Sequence, residues 1–400
     1  MEKSGNSGPS AVIPRGVWIL GFVSLFMDIS SELIHSLLPV FMVTSLGASA
    51  LMVGVVEGVA EATALIVRVF SGALSDYLGR RKPLAVAGYA LGAISKPLFA
   101  LATGVGWVLT ARFVDRVGKG IRGSPRDALI ADLTAPEIRG AAYGLRQSLD
   151  TIGAFLGPLV AIALMLLFAG DFRAVFWFAV IPAALSVALL VFGVHEAERA
   201  QGATAVRTPL KLALAHSLPA AYWWIVIAGA VFTLARFSEA FLLLRAQQQG
   251  LSDSWAPLVL VLMNVVFAVS AYPMGRLADR VNPMVLLAAG LAVLVAADVA
   301  LALSSSLLVT AVGVALWGLH MGMTQGVMAA MVAASAPAHL RGTAFGLFYL
   351  VSGIAMLAAS VIAGFLWDRY GAATTFYAGA AFALAAFLLF TLGRRAFQRS

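Results

Sequence analysis

Apolar residues fill this chain in runs of about twenty, cut by short breaks of glycine, proline or charge. About 20 such residues, wound as a helix, cross the roughly 30 Å of hydrocarbon in a bilayer. Twelve runs meet that length, near 17–43, 50–72, 84–103, 106–125, 141–168, 172–194, 221–245, 254–274, 283–303, 306–333, 343–366 and 372–392. Backbone groups in lipid must bond within their own segment, so runs of this length are helices. The pattern predicts an all-α membrane protein with twelve transmembrane helices.

Composition agrees. Of 400 residues 61% are hydrophobic and 12% charged, whereas a soluble chain carries about 25% charged residues. Too few charges exist to cover a water-facing surface, so lipid is the expected partner. The net charge of +8 then reads as topology rather than as a nucleic-acid footprint. Arg15, Arg80, Arg81, Lys82, Arg126, Arg139, Arg207, Lys211, Arg276, Arg280, Arg341, Arg394 and Arg395 fall on one side of the twelve spans. Little beyond Arg173, Arg245 and Arg369 falls on the other. The positive-inside rule puts both termini in the cytoplasm, with the chain in the cell membrane. Residues 1–16 and 393–400 are then cytoplasmic tails and 195–220 a cytoplasmic linker. The first fourteen residues are polar and lack the apolar core of a signal peptide.

Zero cysteines rule out disulfides and thiolate metal sites. The sequence contains no His–Glu–His metal pattern, nucleophile elbow or phosphate loop, and five histidines leave little for metal ligation. An enzyme is not expected, and no cofactor is implied. A membrane sensor is the remaining class, but it would usually bring a soluble signalling domain, and the tails here are short.

The two halves echo each other about 200 residues apart. Gly72-Ala-Leu-Ser-Asp76-Tyr-Leu-Gly79-Arg80-Arg81-Lys82 is answered by Gly275-Arg-Leu-Ala-Asp279-Arg-Val-Asn282. Pro136-Glu-Ile-Arg139-Gly140-Ala-Ala-Tyr-Gly144 is answered by Pro337-Ala-His-Leu-Arg341-Gly342-Thr-Ala-Phe-Gly346. Two matched pairs in the same order predict a duplicated unit: bundles at 17–194 and 221–392, with a site between them.

These residues also carry a resemblance. Gly72 to Leu84 resembles the loop signature G-x-L-a-D-r-x-G-r-k-x-x-l of the major facilitator superfamily, between the second and third helices. Arg116-Val-Gly-Lys119-Gly120-Ile-Arg122-Gly-Ser resembles the family's fourth-helix signature. Gly153-Ala-Phe-Leu-Gly157-Pro158 resembles the fifth-helix signature of its drug:proton antiporters, although Val160 and Ala161 follow where two glycines are expected. The resemblance implies two pseudo-symmetric six-helix bundles working as a monomer. It implies that Asp76, with Gly72, Gly79, Arg80 and Arg81 around it, latches the halves together on the cytoplasmic side. In the fifth span Gly153 and Gly157 make a small-xxx-small face for close helix contact, and Pro158 should kink that helix.

Charges inside the spans are the most informative residues. Each costs at least about 2.5–3.5 kcal/mol at mid-bilayer, so such groups pair, face a cavity, or mark a pathway. Span one carries Asp28, Glu32 and His35, and span two carries Glu57, Glu61 and Arg68. Span four carries a stripe of Arg112, Asp115, Arg116, Lys119 and Arg122. Lys96, Arg146 and Asp150 add to them, and Lys96, Arg68 and Arg146 read as structural partners. Counting turns, Glu57 and Arg112 lie about six residues from the outer end, and Glu61 and Arg116 about ten. Pairing at matched depth is expected: Glu57 or Asp28 with Arg112, and Glu61 or Glu32 with Arg116. The second half reads as an apolar wall with a few polar anchors: Arg236, Glu239, Asn264, Trp317, His320 and Gln325.

The sequence therefore points to a secondary transporter that couples a small organic solute to protons by alternating access. Asp28, Glu32, Glu57 and Glu61 are the candidate proton carriers. Arg112, Asp115, Arg116, Lys119, Arg236, Glu239, His320 and Gln325 are candidates for substrate contact or switching ion pairs. The antiporter-like motif and the apolar second half favour export, as in multidrug efflux. The basic stripe of span four favours the alternative, uptake of an anionic or zwitterionic solute.

Overall fold

In the computed structural model the described residues are 13–78, 80–195, 217–278, 280–337 and 340–397, and no strand occurs among them. Among the described residues fifteen α-helices make twelve crossings. The first half comprises α1 (Arg15–His35), α2 (Leu38–Thr44), α3 (Ala50–Leu78), α4 (Lys82–Ala100), α5 (Val105–Leu133), α6 (Arg139–Leu167), α7 (Phe172–Phe178) and α8 (Val180–Ala188). The second comprises α9 (Ala220–Ala235), α10 (Ala240–Gln248), α11 (Leu258–Ala278), α12 (Pro283–Ala302), α13 (Leu307–Ser335), α14 (Arg341–Tyr370) and α15 (Ala372–Phe397). Residues 196–216 of the expected linker, 1–12 of the first tail and 398–400 of the last lie outside the described residues. The tail expected from 393 begins as helix, because α15 runs on to Phe397.

Three crossings are broken. The first divides at Ser36–Leu37, ahead of Pro39 at the start of α2. The sixth divides at Ala179 and ends in a π-helical turn, Leu189–Gly193. The seventh divides at Arg236–Glu239, where no run of apolar residues sustains the helix. By contrast α6 continues unbroken from Arg139 to Leu167 through Pro158.

Eleven segments among the described residues are long and apolar enough to cross a membrane. The remaining crossing is α5. Its 29 residues match the others in length, but its charged stripe takes it out of the apolar class.

Within the first half α1 packs on α6, α4 on α5, and α3 on α5. Within the second, α12 packs on α13 and α15, α11 on α13, and α9 on α14 and α15. Small residues set these contacts. A methyl added at Gly118 would sit 2.6 Å from the Gly88 carbonyl, so α4 and α5 meet backbone to backbone.

The halves touch mainly along α3 and α14, with lighter seams where α6 meets α11 and α2 meets α10. The α3–α14 seam is also glycine-lined. A Cβ at Gly58 would sit 3.1 Å from Leu357 Cα, and one at Gly364 2.6 Å from Leu51 Cα. These contacts fall in the half of α3 next to loop 45–49. That end, where the halves pack together and which also holds residues 101–104, 168–171 and 371, we call the outer end. The opposite, inner end holds residues 80–81 and 134–138.

Two of the sparse cations at the outer end cap helices. Arg173 Nη2 donates to the Ala102 carbonyl, 2.9 Å. Arg245 donates to the carbonyls of Leu301, 3.0 Å, and Ser304, 2.8 Å. Both satisfy carbonyls that a helix C-terminus leaves open.

Candidate functional site

Between the halves lies a smaller cavity of about 290 Å³ that continues into a larger one of about 750 Å³ toward the inner end. Glu32, Glu61, Lys119, Ala154 and Asn264 line both. The larger cavity is walled by the charged faces of α1, α3, α5 and α6 and, opposite them, by the apolar face of α11 around Val265 and Phe267. The smaller one takes its second-half wall from the break at Arg236–Glu239 and from Trp317, Met321, Gln325 and Met356.

Pairing at matched depth is found for two of the expected couples. Arg112 Nη2 donates to Glu57 Oε2 at 2.7 Å, with both groups almost completely buried. Arg116 Nη1 stands 3.5 Å from Glu61 Oε1. The other two alternatives fail. Asp28 sits one level further inward and faces Arg122 Nη2 at 3.6 Å, not Arg112. Glu32 turns to His35, whose Nδ1 lies 3.2 Å from Glu32 Oε2 while Nε2 lies 3.5 Å from Glu57 Oε2. His35 thus links the cavity-lining Glu32 to the buried Glu57.

Asp115 leaves the list of cavity groups. Its carboxylate accepts from Lys96 Nζ at 2.7 Å and from Ser95 Oγ at 3.3 Å, inside the α4–α5 contact. Lys96 also donates to Ser31 Oγ at 3.0 Å, tying in α1. Arg112 is likewise buried, beneath the lining rather than on it. His320 is corrected too. It is fully buried on the far side of Trp317, ring to ring at 5.4 Å, and neither ring nitrogen has a side-chain partner or reaches the cavity.

Lys119, Arg236 and Glu239 do line the cavity, and they differ from the rest. Lys119 is exposed within it and makes no ion pair or hydrogen bond among the described residues. Arg236 lies over the Phe232 ring at 5.5 Å and its Nε has no partner. Glu239 stands at the N-cap of α10 and has no ion pair among the described residues, although Arg236, His35, Glu32 and Glu61 all act on it electrostatically. Gln325 is on the same wall.

The glycine face of α6 meets α1 at two of the candidate acids. A Cβ at Gly153 would lie 2.7 Å from the Leu25 carbonyl and 3.1 Å from Asp28 Cβ; one at Gly157 would lie 2.7 Å from Glu32 Cβ. Close α1–α6 packing therefore positions Asp28 and Glu32, and Pro158 is buried in the same contact. At the inner end, Arg126 reaches Ser24 Oγ at 3.0 Å and lies 3.8 Å from Asp150 Oδ1, and Arg146 is bonded to Asp150.

Of the loop motif, Gly79 and the Asp76 side chain lie outside the described residues. Gly72 has ordinary room: a Cβ would be 3.5 Å from Ser124 Oγ, so close approach does not demand glycine there. Arg80 is exposed. Arg81 Nη1 donates to the Ala128 carbonyl at 2.6 Å and lies 2.8 Å from Asp132 Oδ2, binding the loop to the end of α5.

One buried acid was not expected. Asp298, in α12, is fully buried and neither carboxylate oxygen has a hydrogen-bond partner among the described residues. Gly379 of α15 packs directly on it. A lone acid in an apolar run is the available signal, and the description of the second half as an apolar wall passes over it.

Two helical bundles that pack together at one end and share a charged cavity have the build of a transporter of small solutes across a membrane, not of an enzyme. The chain belongs to the Major Facilitator Superfamily, whose sequence profile matches residues 20–360 and 250–399. It is 32% identical over 387 residues, 94% of each chain, to an uncharacterized MFS-type transporter of Methanocaldococcus jannaschii. A shorter likeness, 32% over 163 residues, joins 40% of this chain to 39% of the multidrug resistance protein MdtH of Photorhabdus laumondii. Among solved structures it superposes with a TM-score of 0.78 on a bacterial homolog of the human lysosomal transporter Spinster in an inward-facing, unoccupied conformation. That match is at 17% identity, covering 98% of this chain and 99% of the other.

Proposed function

We propose that this transporter couples a small organic solute to protons by alternating access, and that it exports the solute. The observation that carries the coupling is the set of cavity-lining carboxylates Asp28, Glu32 and Glu61, each beside a basic group: Arg122, His35 and Arg116. An acid that trades its basic partner for water between two conformations takes up and releases a proton. Asp28 and Glu32 are best placed, because α6 holds them through Gly153 and Gly157 and any movement of α6 against α1 reaches them directly. By the positive-inside rule the outer end is extracytoplasmic, both termini are cytoplasmic, and the cavity opens inward. The partial likeness to MdtH supports export.

A second reading is uptake of an anionic or zwitterionic solute. It is supported by Lys119 and Arg236, the cavity-lining cations that make no ion pair or hydrogen bond among the described residues. One experiment separates the readings. Purified protein is placed in liposomes holding a pH-sensitive dye, a pH gradient is imposed, and organic cations, anions and neutral amphiphiles are added in turn. Proton flux opposite to solute, lost in Asp28→Asn or Glu32→Gln, is the result expected for antiport. Flux in the same direction as solute would establish uptake, and solute movement without proton flux would remove the coupling role from these acids.

A further inference from the structure

The charged groups around the smaller cavity sort into two sets. Glu57, Glu61 and Glu32 are matched by Arg112, Arg116 and His35 within the first half. Three charges are left over among the described residues: Lys119 on one wall, and Arg236 and Glu239 on the other. Arg236 and Glu239 stand at the two ends of the break in the seventh crossing, where the chain between α9 and α10 leaves the helix. They do not close an ion pair with each other, although only two residues separate them and each acts on the other electrostatically.

An unpaired Arg and an unpaired Glu side by side in a shared pocket are costly unless something else completes them. Water does so when the cavity is open on one side. When the halves close over the pocket, water leaves and a ligand must supply the missing charges. The cationic pair, Lys119 and Arg236, calls for a carboxylate-like group. Glu239, facing the Glu32 and Glu61 side of the cavity, calls for an ammonium-like group. Phe237, Trp317, Met321 and Met356 offer an apolar surface for the remainder of the solute.

We propose that the transported solute is a small zwitterion, its anionic group held by Arg236 and Lys119 and its cationic group by Glu239. The inference rests on the transport reading above but not on its direction. It differs from recognition of a simple anion, since Glu239 would repel one, and from recognition of an organic cation, since Arg236 and Lys119 would.

The test uses sets of three compounds on one carbon skeleton. Each set is a free amino acid, its N-acetyl derivative, which keeps only the carboxylate, and its amide, which keeps only the ammonium. The sets are graded from alanine to tryptophan. Binding to the full-length protein in nanodiscs is read by thermal shift and by competition. At least one free amino acid should bind about tenfold or more tightly than both of its single-charge derivatives. Arg236→Gln should lose that preference, Arg236→Lys should keep part of it, and Glu239→Gln should shift preference toward the N-acetyl compound. Lys119→Gln, at an exposed site, keeps the test readable if the Arg236 variant fails to fold, and should weaken both carboxylate-bearing compounds.

Equal binding of a zwitterion and either derivative would overturn the proposal, as would a zwitterion preference untouched in all of these variants. Absence of binding across the whole graded series would overturn it too. If organic cations then drive proton flux in liposomes, the transport reading stands and the zwitterion assignment alone falls.

Discussion

The carboxylate of Asp368, at the end of α14, accepts the backbone N–H groups of Ala50 at 3.0 Å and of Leu51 at 2.9 Å, at the start of α3. One residue of the second half thereby caps the first turn of a helix in the first half. An acid at a helix N-terminus satisfies open donors and meets the positive end of the helix dipole. Here the cap is also a fastener between the halves at the outer end.

Asp368→Ala should therefore loosen that end. Loss of such a cap costs about 1 kcal/mol, which shifts a two-state balance by about fivefold. The chain has no cysteine, so one introduced at Asn264, which lines both cavities, reports access without background. Its reaction with an impermeant maleimide added at the outer face should speed up in the Asp368→Ala background. An unchanged rate would show that the cap does not bear on closure.

The α3–α14 seam gives a sharper perturbation. Gly364→Ala places a methyl 2.6 Å from Leu51 Cα, and backbone cannot step aside. Transport should fall severely and the Asn264 reporter should open to the outer face. Gly104→Ala is the control, with nothing within 4 Å of the added carbon. If both variants transport normally, the seam is not the closing surface.

Lys96 and Asp115 form a pair that serves the fold. Removing one member of a buried pair costs about 3–5 kcal/mol, while replacing both by apolar groups can be neutral. Lys96→Leu should lower the melting temperature in detergent, and Lys96→Leu with Asp115→Leu should recover most of it. A double variant no more stable than the single one would mean that the pair is not coupled.

Asp298 should behave in the opposite way. Its carboxyl has no partner, and an unsatisfied buried polar group costs about 1–3 kcal/mol. Asp298→Leu should raise the melting temperature. Lost transport with raised stability would mark the acid as retained for function, whereas a fall in stability would show that Asp298 has a partner after all.

Much of this was legible in the sequence because hydrophobic length and charge sign are local signals. Each of the twelve expected spans overlaps one observed crossing, and matched depth along α3 and α5 correctly coupled Glu57 to Arg112 and Glu61 to Arg116. What escaped depends on rotation about helix axes. Depth alone could not tell that Asp28 faces Arg122, that Asp115 turns toward α4, or that His320 turns behind Trp317 and away from the cavity. The break at Arg236–Glu239 was hidden for a related reason. In an apolar run its two charges look like anchors on a continuous helix, whereas they stand at the two ends of a gap in it.

The charged stripe of α5 has a consequence for how the protein is made. Its five central charges, Arg112 to Arg122, would cost on the order of 10 kcal/mol or more if the helix left the insertion channel alone for lipid. It does not leave alone. Arg112 answers Glu57, Arg116 answers Glu61, Asp115 answers Lys96, and Arg122 answers Asp28. Each of those four partners is encoded upstream of α5, so each has been synthesised by the time α5 emerges from the ribosome. The order of translation supplies the counter-charges before they are needed, and α1, α3 and α4 act as the assembly template for the least lipid-soluble helix in the chain.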